Sequence, residues 1–106
     1  MALPPDITPE QRAAALAKAA ASRQERAAVK NKVRTGGMSV AEVIEEGKKN
    51  EVVGKMKVID LLTSHPGLGE VRATQMMERL GIAMSRRVQG LGPKQVAALV
   101  EEFSRR

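Results

Sequence analysis

His65-Pro66-Gly67-Leu68-Gly69 and Gly90-Leu91-Gly92-Pro93 carry the same short element twice, a Gly-Leu-Gly turn set between two apolar helical patterns. Glycine has no Cβ, so the backbone at such a turn can approach a ligand closely and take positive φ. The helix that follows presents unpaired N–H groups and the positive end of its dipole. Leu68 and Leu91 are expected to plug each turn into the core. The product is a phosphate cradle that reads no base. Two ordinary tight helix connections would use the same residues. Repetition, with basic side chains close by, favours the cradle.

The flanking patterns are helical. Before the first turn, Met56, Ile59 and Leu62 recur every third residue beside Val58 and Leu61, which predicts a buried helix from about Lys55 to Ser64. Between the turns, Ala73, Met76, Met77 and Leu80 mark one face of a helix ending at Gly81, and Ser85 is expected to cap one short turn through Arg86 and Arg87. After the second turn, Pro93 stands at a first helical position, and Val96, Leu99, Val100 and Phe103 repeat the same offsets. The methionines read as core gap-fillers. No stretch reads as a strand; Val52-Val53 is too short to decide anything.

Upstream, Thr8-Pro9-Glu10-Gln11 is a capping box with proline at the first helical position, and Ser39-Val40-Ala41-Glu42 is a second box. The first helix is alanine-rich and should run to about Val33 or Arg34, stopped by Gly36-Gly37. The second is expected to end near Gly47. The first helix offers little to bury beyond Leu16, Val29 and Val33. Arg12, Arg23, Arg26, Lys30 and Arg34 instead fall along one line of it. That stripe is ~33 Å long at ~1.5 Å per residue, close to one turn of B-DNA. It reads either as a second DNA contact or as a solvated basic face. The fold class is therefore all-α: residues 1–37 form an arm and a long basic helix, and residues 38–106 a compact helical domain.

Composition narrows the function. The 106 residues carry a net charge of +6 at pH 7, which attracts polyanions. Residues 1–37 and 66–106 are basic, at net +4 and +3, while residues 38–65 are at −1. Phe103 is the sole aromatic residue, which argues against binding single strands on stacked aromatic platforms. There is no cysteine and one histidine, His65, so thiolate zinc sites are impossible and a metal or other cofactor is not expected. Glu42, Glu45 and Glu46 have no nucleophile or base linked to them and read as a solvated face. Gly54-Lys55 lacks the upstream glycine of a phosphate-binding nucleotide loop. An enzyme is not expected. No apolar run approaches a membrane span, and the N-terminus lacks a secretory pattern. The remaining side chains able to reach phosphate near the turns are Arg72, Arg86, Arg87 and Lys94, with Lys55 and Lys57 at the start of the buried helix. Adjacent Arg86 and Arg87 also suit a narrow minor groove.

With these residues in place, the chain resembles the actinobacterial integration host factor family along nearly all its length. The resemblance rests on Met1-Ala2-Leu3-Pro4-Pro5, Thr8 to Ala15, Gly54-Lys55-Met56-Lys57-Val58, Pro66-Gly67-Leu68-Gly69 with Val71-Arg72-Ala73, Arg86-Arg87 and Gly90-Leu91-Gly92. It implies a long helix joined to a helix-two-turns-helix module, as in a small-subunit ribosomal protein and certain DNA glycosylases. It implies a cytoplasmic, nucleoid-associated protein that binds duplex DNA with little sequence preference, bends and compacts it, and supports integrative recombination. By position, Gly67 to Gly69 and Gly90 to Gly92 become phosphate loops, Arg86 and Arg87 the paired arginines, and Pro4 and Pro5 the N-terminal arm. Two positions depart from the family pattern: Glu70 and Gln89 stand where members often carry a basic residue. Binding to structured RNA, as in the ribosomal relative, is the alternative. A repair enzyme would need a catalytic domain for which the chain has no room. A membrane-surface role for the first helix lacks large apolar residues to insert. A monomer is expected, since no surplus apolar stripe demands a partner.

Overall fold

The computed structural model describes residues 8–104, and Pro4 and Pro5 lie outside them. Thr8 caps α1 (Pro9–Thr35) as its motif predicts: its hydroxyl accepts from the Gln11 N–H, and the Gln11 side chain accepts from the Thr8 N–H. Gly36 ends the helix in the left-handed region at φ 83, donating to the Lys32 and Val33 carbonyls. Only Val29 and Val33 of α1 are buried, and residues 8–19 are all exposed. The first half of α1 is thus a projecting arm, and the described chain measures 52 × 27 × 26 Å. The Asn50 side-chain amide donates to Glu25 Oε1 at 2.5 Å, which ties α1 to the main body.

Ser39 and Glu42 form the second capping box, opening α2 (Val40–Lys49). The helix ends at Lys49, close to the expected Gly47. Gly47 is buried, and a Cβ there would sit 2.6 Å from Val88 Cγ1. Asn50 then caps α3 (Glu51–Gly54), so Val52-Val53 belongs to a one-turn helix that periodicity alone did not reveal. Gly54 is buried too, and its Cβ would meet the Gly47 carbonyl oxygen at 2.6 Å. Hydrogen in place of methyl at these two positions lets α2 and α3 approach each other and the segment around Val88.

The predicted Lys55–Ser64 helix is shorter than expected: α4 spans Val58–Ser64. Lys57 is extended and forms an isolated antiparallel bridge with Arg87, in which the Val58 N–H donates to Arg86 O at 3.0 Å and the Val88 N–H to Met56 O at 2.9 Å. The backbone groups that a helix start at Lys55 would have used are spent on this long-range pairing. The same pairing overturns the short turn through Arg86 and Arg87. The chain after α5 (Glu70–Arg79) instead makes a β-turn from Ala83 to Arg86, extends at Arg87, and coils into a 3₁₀ turn at Val88–Gly90. The chain then enters α6 (Pro93–Ser104).

The core joins Val33, Val43, Ile44, Val53, Val58, Leu61, Leu62, Met77 and Leu99, all at most 2% exposed. Leu68 is buried, whereas Leu91 is half-buried against the core. Val100, expected in the core, is 38% exposed, so the buried face of α6 is narrower than its pattern implied. Arg79 and Glu102 clamp α5 to α6 through Nη2–Oε1 at 2.6 Å and Nη1–Oε2 at 3.2 Å. That hydrogen-bonded pairing raises the Arg79 pKa further above its ordinary value.

Candidate nucleic-acid interface

The Lys57–Arg87 bridge brings together basic residues that are far apart in the chain. Arg26 and Lys30 of α1, Lys55 and Lys57 before α4, and Arg87 line one groove of about 490 Å³, with Asp60 as its single carboxylate. Helical periodicity puts Arg26 and Lys30 on one turn-spaced edge. The packing of α1 against α3 and α4 turns that edge toward Lys55 and Lys57. Lys55 also pairs with Glu51 at 3.2 Å, but both side chains are well exposed. Such a pair is worth little and yields readily to a phosphate.

Both arginines of the pair are held in place by backbone carbonyls. Arg87 Nη1 donates to Lys55 O at 2.9 Å, and Arg86 Nη1 donates to Gly90 O at 3.0 Å. A guanidinium has five N–H donors, so one such bond fixes the plane and leaves the rest of the fork for an anion. Arg87 also lines a second, neighbouring depression with Ser85, Arg86, Gln89 and Gly90. The result is one continuous cationic surface, from α1 through Arg87 to the second glycine turn.

The two glycine turns differ. At the first, Gly67 has φ +79, the left-handed conformation the motif predicts, and Leu68 seals the turn beneath. Gly69 caps α5 without any side-chain bond and with open space around it. Neither Gly90 nor Gly92 has positive φ. Gly90 closes the 3₁₀ turn, and the Gly92 N–H donates to Gln95 Oε1 at 3.1 Å. Gln95 Nε2 in turn donates to Gly81 O at 3.1 Å, tying the second turn to the end of α5. The shallow depression beside the first turn is lined by Asp60 and Glu70 along with Gly69, Leu68 and Met84. Two carboxylates therefore stand where the first phosphate would approach.

Of the residues predicted from sequence, Arg26, Lys30, Lys55, Lys57, Arg86 and Arg87 share the cationic surface. Arg23 and Arg12 continue the same line outward along the arm and are exposed, as is Arg34 one turn beyond Lys30. Arg72 and Lys94 are exposed in the first turns of α5 and α6 and line neither basic depression. The His65 Nδ1 lies 2.9 Å from Pro66 O, and its ring stands 4.8 Å from that of Phe103. Sequence reasoning missed Gly47, Gly54, Asp60 and Gln95. Their roles depend on contacts across the fold that no local pattern announces. Among the described residues there is no group of metal-ligating side chains, and no helix is long and apolar enough to cross a membrane.

Residues 33–103 match the family model described as an S13-like H2TH domain. The chain is 64% identical to an integration host factor of Streptomyces coelicolor over 97% of this chain and 95% of that protein. It is 48% identical to the integration host factor of Mycobacterium tuberculosis over 97% of both chains. A solved structure described as sIHF bound to an 8bp palindromic DNA superposes with a TM-score of 0.80 at 60% identity, covering 81% of this chain and 97% of that one.

Proposed function

Since the chain belongs to the actinobacterial integration host factor family, we propose that it binds duplex DNA through the phosphate backbone as an architectural protein. The observation that carries this reading is the cationic surface formed by Arg26, Lys30, Lys55, Lys57, Arg86 and Arg87. Six cations on one face offer charge and pre-set donors without an aromatic platform. Such a surface grips phosphates and reads little sequence. The structural relative bound to an 8bp palindromic DNA supports DNA as the polyanion.

The cationic surface runs from α1 through Arg87 to the second glycine turn, and the arm carries the exposed Arg23 and Arg12 beyond it. A duplex following both is held bent, and bending of this kind compacts DNA and brings recombination sites together. The protein is a monomer in solution and works within the nucleoid.

A gel-shift titration of random-sequence duplex at two salt concentrations tests the reading. Each phosphate neutralised contributes a slope of about −0.9 in log affinity against log salt, so six contacts predict a loss of roughly 10³-fold between ~50 and ~200 mM salt. A flat salt response, or stronger binding to structured RNA than to duplex DNA in competition, overturns it.

A further inference from the structure

We propose that Met84 is an apolar wedge that enters the DNA minor groove and partly unstacks one base step. The proposal rests on the DNA-binding reading above and adds a role that no charged residue can fill.

Among the described residues, four large apolar side chains are exposed: Leu16, Val71, Met84 and Val100. Single exposed apolar residues are ordinary on protein surfaces. Met84 is set apart by its position. It occupies the first central position of the β-turn closed by the Arg86 N–H to Ala83 O bond at 2.9 Å, and it is 48% exposed. The turn does not sway freely. Ile82 is buried on one side, Val88 is buried on the other, and the Arg86 carbonyl accepts from the Val58 N–H.

On one flank, two residues on, lie Arg86 and Arg87 with their guanidinium groups fixed to backbone carbonyls. On the other flank, Met84 lines the depression that holds Leu68 and Gly69 of the first glycine turn. A duplex whose phosphates are gripped by Arg86 and Arg87, and kept off the first turn by Asp60 and Glu70, brings its groove over Met84, which lies between the two. Arginines favour a narrow minor groove, and minor-groove proteins pair them with an apolar side chain that pries a step apart. Methionine is long, unbranched and polarizable, and it fills an irregular gap between bases without demanding one rotamer. The step taken is one that unstacks at least cost, a TA or CA step.

The test uses a short duplex with 2-aminopurine at a central TA step and a fluorescent label at one end. Anisotropy of the label reports binding, and 2-aminopurine emission reports unstacking. The wild-type protein should raise the emission severalfold at saturation. Met84→Ala should bind with an affinity about threefold to tenfold lower, the order expected for losing a half-exposed methionine contact. It should keep the salt slope and lose the emission rise. Met84→Leu should restore the rise, and Leu16→Ala on the arm should leave it untouched. A melt by circular dichroism should place both Met84 variants at the wild-type midpoint. Saturation without any emission rise, or an equal rise with Met84→Ala, overturns the wedge while leaving DNA binding intact. Absence of any anisotropy change with the wild type at low salt overturns the DNA reading itself, and the wedge with it.

Discussion

The two glycine turns look alike in sequence and are built for different work. The first is a true left-handed turn at Gly67, sealed by a fully buried leucine, with an uncapped helix start above it and two carboxylates beside it. The second has no left-handed glycine. It is held by a 3₁₀ turn, a backbone bridge to Lys57 and a glutamine that ties it to Gly81, and it carries two pre-set arginines. The first turn contributes mainly to stability, and the second mainly to charge. A repeated motif fixes backbone options, while the neighbours supplied by the fold decide which option is used and what charge surrounds it.

That contrast can be broken at its strongest point first. Leu68→Ala should cost about 3 kcal/mol of stability in a denaturant titration, because it leaves a cavity under the first turn. Leu91→Ala, at a half-buried site, should cost about 1 kcal/mol. Equal losses would erase the division between the turns. Arg86→Ala with Arg87→Ala should lower duplex affinity about 100-fold and reduce the salt slope by roughly two, with little change in melting temperature. The same loss from Arg72→Ala would shift the charge-bearing role to the first turn.

Gly54→Ala forces a methyl against the Gly47 carbonyl, and overpacking of that kind costs about 2 kcal/mol. Because Gly54 also lies against Gln89, the variant should weaken DNA binding by displacing the second turn. Glu70→Lys should raise affinity about tenfold and steepen the salt slope by about one, turning the first turn into a copy of the second. An unchanged affinity would mean that DNA does not approach the first turn. The smallest effect is expected for Arg79→Ala, whose bridge to Glu102 is exposed on the arginine side. Thermal unfolding should shift only slightly, with no change in DNA binding.

Much of the fold was legible beforehand. Both capping boxes, the stop at Gly36, the α5 stripe and the proline that opens α6 depend on contacts within one or two helical turns, so their residues declare them locally. The Lys55 start and the turn through Arg86 and Arg87 were misplaced for one shared reason. Both lie where the chain exchanges a local hydrogen bond for one to a distant segment, across the bridge between Lys57 and Arg87. The site was legible as a set of residue types. Arg86, Arg87, Lys55 and Lys57 were visible as candidates, but nothing local showed that Arg26 and Lys30 would join them while Arg72 and Lys94 would not.

By itself the sequence determined a helical, basic, cysteine-free chain with two glycine turns and an alanine-rich first helix, because propensity, capping and charge are properties of neighbouring residues. Only the tertiary structure decided that the basic edge of α1 faces Lys55, Lys57 and Arg87, and that Asp60 and Glu70 guard the first turn. Periodicity sets which residues share a face of a helix. The rotation of that face toward the rest of the molecule comes from packing between segments far apart in the chain, here through two buried glycines and one backbone bridge.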